Sequence, residues 1–201
     1  VDRIVGVSTD VHDQFQTRHG NRVLSSGIRT IPSMVDLSAF RPKESSYFSD
    51  LLGNHPVCLF VGRLAAVKNL PLLLDAWNIV ARRKPDAHLA IAGDGELRDQ
   101  LDRWIVQMDC AASVTMLGQV SPSSIADAIS GAKVLLLTSH HEASPTVVKE
   151  ALSCGVPVVS TPVGDVTSVI DDERTGRIVA PDAKKLAEAI TDVLGWGSTK
   201  E

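Results

Sequence analysis

From Val57 onward, short runs of apolar residues alternate with longer stretches in which apolar residues recur every three or four positions. The short runs are apolar throughout, which is typical of parallel strands buried on both faces. They predict strands at residues 57–61, 89–92, 114–117, 134–137, 158–160 and 177–179. Each interval has room for a crossover helix. The pattern therefore predicts an α/β fold with a doubly wound, Rossmann-like parallel sheet.

Three of the intervals carry a stripe of apolar residues at helical spacing. The stripes are formed by Leu70, Leu73, Leu74, Trp77 and Val80; by Leu97, Leu101, Trp104, Ile105 and Met108; and by Leu186, Ala187, Ile190, Val193 and Leu194. We expect these three helices to pack on the faces of the sheet.

The first part of the chain has a different pattern. Residues 4–8 predict a short strand, Thr9 or Asp10 can cap a helix after it, and residues 30–32 predict another extended piece. Prolines and polar residues then dominate up to residue 54, which predicts a linker with its boundary between residues 33 and 45. We expect residues 1–42 to end one domain and form the hinge, and residues 43–201 to form a second domain. Since the chain opens without Met, we expect a piece of a longer protein.

The segment from Ser139 to Pro162 is the most informative stretch of the chain. It follows a wholly apolar run. Ser144 is a candidate N-cap residue and Pro145 suits the first position of a helix that extends to about Ser153. Gly155 is typical of a left-handed residue that ends such a helix.

This arrangement predicts free N–H groups from Thr146 to Val148, at the carboxyl end of a buried strand. A helix N-terminus of this kind binds anions, because its unpaired donors and its dipole favour negative charge. Glu150 shares a face with Thr146 and can accept both hydroxyls of a ribose, while Glu142 lies in the preceding loop. The alternative is a capped surface helix with two solvated glutamates.

Ligands of open parallel sheets bind beyond the carboxyl ends of the strands. After the first predicted strand, Gly62 permits close approach to the backbone, and Arg63 and Lys68 place two cations near the strand end. Asn69 is the candidate N-cap of the next helix. The alternative for both cations is ordinary solvated loop residues.

The next two strand ends carry weaker signals. Gly93-Asp-Gly95 is a short glycine motif without the third glycine of a dinucleotide site, because Arg98 stands there, so we expect a tight turn. After the following strand, Gln119 and Val120 have exposed backbone that can bind a flat base edge. Ser121 and Pro122 are expected to begin the helix after them.

Composition excludes several classes of function. The net charge is −4 and aromatic residues make up 4% of the chain, so neither a basic face nor stacking side chains for nucleic acid are expected. The three cysteines have no Cys-x-x-Cys spacing, which favours reduced core thiols in a cytoplasmic protein. The pair His140–His141 lacks the spacing of a zinc site, and Asp171–Glu173 is expected to be a solvated turn.

Together, these motifs resemble the retaining glycosyltransferases of family 4. The resemblance is carried by Gly62-Arg63 with Lys68, by Gly93-Asp-Gly95, by Glu142 and Glu150 with seven residues between them, by Glu150-Ala151, and by Gly155-Val-Pro-Val-Val159. It covers residues 57–195. It implies the donor-binding C-terminal domain of the two-domain GT-B architecture, acting on a UDP- or GDP-linked sugar without a metal or other cofactor.

The resemblance also implies roles for individual residues. Arg63 and Lys68 are expected to hold the donor diphosphate and to act in catalysis. Glu142 is expected to act in catalysis too, at the transferred sugar, by orienting it or stabilising positive charge at the anomeric carbon. The helix end contributes Ser144, Pro145, Thr146 and Val147, with Glu150 at the ribose. Gln119 and Val120 are expected at the base, and Gly62 beside the diphosphate.

Two positions depart from the family pattern. Ala143 stands where glycine is frequent, so we expect a differently shaped loop beside the sugar. The hinge reads Ile31-Pro-Ser-Met-Val-Asp36 rather than Ile-Pro-Asn-Gly-Val-Asp, and so lacks the residues that favour positive φ.

Two alternatives remain open at this point: a nucleotide-sugar-binding module without activity of its own, and a GT-B-type sugar-nucleotide epimerase. A fragment of this kind is expected to be inactive alone, because transfer needs the second domain to exclude water. The acceptor, whether a sugar, a glycan or a lipid-linked glycan, is expected to bind the missing domain. Any membrane-surface association is expected to lie there too.

Overall fold

The computed structural model describes residues 4–7, 13, 17–18 and 28–196. Near the start of the chain, β1 (Ile4–Gly6) and β2 (Ile28–Thr30) form a parallel pair. The short strand predicted at residues 4–8 is therefore confirmed in part, and the second extended piece begins two residues earlier than predicted. The helix predicted after Thr9 or Asp10 lies outside the described residues.

The main sheet has six parallel strands, which confirms the predicted doubly wound α/β fold. Its strands are β3 (Val57–Val61), β4 (His88–Ala92), β5 (Val114–Gly118), β6 (Val134–Leu137), β7 (Val158–Ser160) and β8 (Gly176–Ile178). Their order is β5-β4-β3-β6-β7-β8. The chain thus winds outward from β3 to β5, returns to lay β6 against the other side of β3, and winds outward again to β8.

Seven α-helices follow in the described part of the chain. They are α1 (Ser49–Leu52), α2 (Leu70–Arg83), α3 (Arg98–Val106), α4 (Ile125–Gly131), α5 (Thr146–Ser153), α6 (Val166–Val169) and α7 (Ala183–Leu194). Helices α2, α3 and α7 cover one face of the sheet, and α4, α5 and α6 cover the other. Successive strand residues serve opposite cores, since Leu135 packs with the second group and Leu136 with the first.

The predicted helical stripes face the cores. In α2, Leu70, Trp77 and Val80 are fully buried, and the indole N–H of Trp77 donates to Ser113 Oγ at 2.9 Å. Leu97 lies one residue before α3 and Met108 two residues after it, so that helix is shorter than its stripe. Both side chains still pack against the core.

Two helix starts differ from the prediction. Helix α4 begins at Ile125 rather than Pro122, because the Ser121 carbonyl accepts the N–H groups of Ser124 and Ile125 and closes a turn first. Helix α5 begins at Thr146, with Pro145 at the N-cap position and no side-chain cap. The predicted caps Ser121 and Ser144 are therefore wrong.

Other local predictions are confirmed. Asn69 lies at the N-cap position of α2, and Gly155 follows α5 with φ of 73°. The cysteines are free, with Cys58 and Cys154 buried, and burial raises the pKa of the Cys58 thiol. None of the helices in the described part of the chain combines the length and apolar character that crossing a bilayer requires.

Candidate functional site

The winding direction of the sheet reverses between β3 and β6. The chain leaves these neighbouring strands in opposite directions, and in sheets of this class ligands bind between the loops at the carboxyl ends of such strands. The space between these two loops is called the crevice. The loop after β3 contains residues 62–68 and the loop after β6 contains residues 138–145. These two loops form the centre of the candidate site.

Two hydrogen bonds hold the loops together. The His140 N–H donates to the Val67 carbonyl at 2.8 Å, and the buried Thr138 hydroxyl donates to the Lys68 carbonyl at 2.8 Å. The Ser139 carbonyl in turn accepts the hydroxyl of Thr161, which follows β7, at 2.8 Å. Buried polar groups satisfied in this way fix the backbone at the strand ends.

Lys68 and Glu142 form an ion pair in this crevice. Lys68 Nζ lies 2.6 Å from Glu142 Oε1, and the Ser139 hydroxyl donates to the same oxygen at 2.7 Å. Each charged side chain is only 17% exposed. A Cβ at Gly62 would lie 3.3 Å from Lys68 Cε, so the glycine leaves room for the lysine. Two of the predicted site residues, from loops that are distant in sequence, are thus brought into contact.

Arg63 has a different partner. Its Nε lies 3.2 Å from Glu96 Oε2, and the two side chains are 75% and 52% exposed. An exposed pair of this kind contributes about 0–1 kcal/mol. The arginine is therefore held weakly at the rim of the crevice, outside the Lys68–Glu142 pair.

Gly93 lies where the ends of three strands come close together. Its N–H donates to the Gly118 carbonyl at 2.8 Å, and the Gly62 N–H donates to the Ala92 carbonyl at 3.0 Å. A Cβ at Gly93, whose φ is 143°, would lie 1.9 Å from the Gly62 carbonyl oxygen. The predicted tight turn lies at the end of the motif, where the Arg98 N–H donates to the Gly95 carbonyl at 3.1 Å, and Gly93 itself allows the backbones of two loops to pack closely.

Gln119 and Val120 directly follow β5, two strands away from β3. Gln119 is exposed, and Val120 is half-buried against the core. Both lie at the same edge of the sheet as Lys68 and Glu142.

The start of α5 faces this edge as well. The Val148 N–H donates to the Pro145 carbonyl at 3.2 Å, so the predicted set of free donors is shorter than expected and consists of Thr146 and Val147. Thr146 is exposed and Val147 is half-buried. These N–H groups and the helix dipole together favour an anion.

Glu150 lies in the second turn of α5, on the same face as Thr146. It is half-buried, and burial raises the pKa of its carboxyl group above the ordinary value for glutamate. The alternative of two fully solvated glutamates is wrong for this helix, because Glu142 is ion-paired and Glu150 is partly desolvated.

Ser144 belongs to a polar cluster that the sequence analysis missed. Its hydroxyl donates to Asp165 Oδ2 at 2.8 Å, and it accepts from Lys149 Nζ at 2.6 Å. Lys149 and Asp165 form an ion pair at 2.7 Å, with both side chains 13% exposed. The Ser144 hydroxyl is therefore engaged with the next loop of the sheet and not with the helix N-terminus.

A signal for this cluster was present in the sequence. Gly164 and Asp165 follow β7 and so lie at the same edge as the other loops. A Cβ at Gly164 would lie 2.7 Å from the Ala143 carbonyl oxygen, so the two loops pack backbone to backbone. The rule that ligands bind at carboxyl strand ends, applied to β7 as well, identifies Asp165.

The remaining candidates lie outside the crevice or at its rim. His140 and His141 are exposed. The 171–173 segment is an exposed turn, as predicted, in which Asp171 accepts from Arg174 at 3.2 Å. Among the described residues, no group of three or more His, Cys, Asp or Glu side chains is placed to hold a metal ion.

The family model described as glycosyl transferases group 1 matches residues 43–198. The chain is 32% identical over 144 residues to alpha-D-kanosaminyltransferase of Streptomyces kanamyceticus, covering 71% of the chain and 37% of that protein. It is 31% identical over 159 residues to D-inositol 3-phosphate glycosyltransferase of Segniliparus rotundus, covering 76% of the chain and 35% of that protein. The chain thus spans little more than a third of these relatives.

Solved structures share the fold. Sucrose-phosphate synthase of Thermosynechococcus elongatus superposes with a TM-score of 0.81 at 27% identity, over 96% of this chain and 49% of that one. The Anabaena protein HepE, solved in complex with UDP-glucose, superposes with a TM-score of 0.84 at 21% identity, over 97% of this chain and 54% of that one. These likenesses confirm the Rossmann-like fold of GT-B type.

Proposed function

Because this chain belongs to the group 1 family of glycosyl transferases, we propose that it binds a nucleoside-diphosphate sugar at the edge where β3 and β6 diverge. It would supply the donor-binding half of a retaining, metal-independent transferase. The predicted boundary near residue 43 is part of this proposal, and the start of the family match at that residue supports it.

One observation carries the proposal. A half-buried lysine, a carboxylate and the free N–H groups at the start of α5 lie at the carboxyl edge of the sheet where the strand order reverses, and Lys68 Nζ contacts Glu142 Oε1 there at 2.6 Å. A diphosphate is an anion with several oxygens and fits the lysine and the helix end. A sugar carries hydroxyls, which fit the carboxylate.

The relatives support the class of donor. HepE was solved with UDP-glucose, and the two curated relatives above are named as glycosyltransferases. A UDP- or GDP-linked donor would place its base at the backbone of Gln119 and Val120. Its ribose would lie at Glu150, and its diphosphate at Thr146 and Val147.

Transfer breaks the bond between the anomeric carbon and the diphosphate and forms a bond from that carbon to an acceptor oxygen. The acceptor proton leaves with the diphosphate. Lys68, together with Arg63 once released from Glu96, would neutralise the charge that grows on the leaving diphosphate. Glu142, freed from Lys68 by the incoming phosphates, would orient the sugar and stabilise positive charge at the anomeric carbon. This distribution of cations supports chemistry that does not depend on a metal.

A second candidate is a donor-binding module without transfer activity of its own. It is favoured by one observation: the chain spans 37% and 35% of the first two relatives. An acceptor site and a water-excluding second domain would then come from the rest of a longer protein. The names of the relatives described above give no support to the epimerase alternative.

Calorimetric titration of the chain with UDP, GDP, ADP and CDP tests donor binding. We expect one diphosphate to bind saturably, and the Arg63→Ala and Glu150→Ala variants to weaken it. Arg82→Ala is the matched control, because Arg82 also forms an exposed pair, with Asp109 at 3.4 Å. No binding by the unsubstituted chain, or equal binding by all variants, would contradict the proposed site.

Transfer itself is tested on the full-length protein with a labelled donor and a panel of sugar and lipid-linked acceptors. We expect free nucleoside diphosphate and a product whose anomeric proton coupling matches that of the donor, unaffected by EDTA. Product with inverted configuration would exclude retention. Donor binding without any product would favour the binding module.

A further inference from the structure

Lys149 is enclosed by oxygen atoms from three separate segments. Its Nζ lies 2.7 Å from Asp165 Oδ2 and 2.6 Å from Ser144 Oγ. It also lies 3.1 Å from Ser33 Oγ and 3.3 Å from the Ser33 carbonyl oxygen. The ammonium group has three N–H donors, so these four acceptors satisfy it fully.

The position of this ammonium on the helix is unusual. Lys149 is the fourth residue of α5, and a cation close to a helix N-terminus is opposed by the helix dipole. The carboxylate of Asp165 compensates it, at 13% exposure for both side chains. Asp165 Oδ1 is buried without a hydrogen-bond partner in the described part of the chain. The carboxylate therefore depends on the Oδ2 contacts, to Lys149 and to Ser144.

The cluster also joins the candidate site to the predicted linker. Ser33 lies in that linker, and its hydroxyl is 2.8 Å from the Ser144 hydroxyl. Ser144 immediately precedes the N-cap residue of α5. The backbone that presents the helix N-terminus is thus tied to the linker in two ways: directly by the Ser33 hydroxyl, which also lies 3.2 Å from the Ser144 carbonyl oxygen, and through the Lys149 ammonium group.

We infer that Lys149 is a positioning residue for the diphosphate. It cancels the charge of Asp165 beneath the helix end and fixes the 144–146 backbone against Ser33 of the linker. This inference rests on the proposed donor site. If the positive helix end receives the diphosphate, an uncompensated Asp165 carboxylate competes with the diphosphate for that end. The linker then affects donor affinity through Ser33.

The test is calorimetric titration of the chain with UDP and with GDP, and with uridine and guanosine as uncharged controls. We expect Lys149→Met to weaken diphosphate binding about tenfold, the size of a partly buried interaction with a helix end. Nucleoside binding should stay unchanged. Removing both charges, in K149M/D165L, should restore diphosphate binding to within about threefold of the unsubstituted chain, because no lone carboxylate remains. Lys149→Arg should retain most of the affinity.

Two further variants keep the test decisive if K149M does not fold. Ser33→Ala removes only the linker hydroxyl, and it should weaken diphosphate binding by less than the tenfold expected for Lys149→Met. K149M/D165L carries no uncompensated charge. Equal diphosphate binding by K149M and the unsubstituted chain would overturn the inference, as would equally weak binding by K149M and the double variant. If K149M does not fold, S33A binding as tightly as the unsubstituted chain would overturn it. Failure of the unsubstituted chain to bind either diphosphate would overturn the donor site itself.

Discussion

Replacing Gly93 by alanine should destabilise the chain strongly, through backbone packing at the strand ends. The new Cβ would lie 1.9 Å from the Gly62 carbonyl oxygen and 2.9 Å from the carbonyl carbon, so the two loops must separate. Separation breaks the hydrogen bonds between these loops, Gly62 N–H to Ala92 O at 3.0 Å and Leu64 N–H to Asp94 O at 2.9 Å. Each lost bond costs about 1 kcal/mol.

Backbone strain adds to this loss. The φ of Gly93 is 143°, and a side chain in such a region costs about 1–3 kcal/mol. The free energy of unfolding should therefore fall by about 4 kcal/mol, which urea denaturation measures directly. Gly155→Ala is the matched control: its φ is 73° and its nearest neighbour is Pro42 Cγ at 3.8 Å. Backbone strain alone should lower the free energy of unfolding of the Gly155→Ala variant by about 1–2 kcal/mol. Equal losses in the two variants would refute the packing argument.

Three further predictions concern charge and core packing. Since burial raises the pKa of Glu150, its charged form costs stability at neutral pH. Glu150→Gln should therefore melt higher than the unsubstituted chain at pH 7, and this advantage should vanish below the ordinary glutamate pKa. A pH-independent difference would contradict this. Lys68→Met leaves Glu142, at 17% exposure, without its cation. The free energy of unfolding in urea should therefore fall by about 1–3 kcal/mol, whereas for Arg63→Met it should change by no more than about 0.5 kcal/mol. Leu136 in β6 is 1% exposed, so Leu136→Ala should lower the free energy of unfolding by about 2–5 kcal/mol. A loss below about 1 kcal/mol in the same assay would show that the core relaxes around the cavity.

The strands were predictable because their physical signal is local. The runs at 57–61 and 134–137 match β3 and β6 to the residue, since a strand buried on both faces must be apolar along its whole length. The stripe of α2 was predictable for a similar reason. Its apolar residues recur every three or four positions, which places them all on the helix face that packs against one core.

The helix starts were not predictable from local signals. Ser-Pro pairs at 121–122 and 144–145 are typical of a cap and a first helical residue. The Ser144 hydroxyl instead contacts Lys149 and Asp165. A tertiary ion pair therefore competes successfully for a group that the local pattern assigns to the helix.

The candidate site was predictable as a set of residues but not as an arrangement. The rule that ligands bind at carboxyl strand ends identified Lys68 and Glu142 as candidates. Their direct contact depends on β3 lying beside β6, and the hydrophobic pattern of the chain predicts where strands occur but not their order in the sheet. The Ser33 contact was hidden for the same reason, because it joins segments far apart in sequence.

The pairing of β3 with β6 also has a kinetic consequence. Cys58 pairs with Leu89 across one crossover helix, but it pairs with Val134 only after most of the domain has been made. Closing the longer loop costs more chain entropy, so the β5-β4-β3 half of the sheet can form first during synthesis. The crevice does not exist until β6 docks onto that half. If the proposed donor site is correct, acquisition of nucleotide binding during refolding would report the late joining of two half-sheets, and a nascent chain lacking β6 would have no such site.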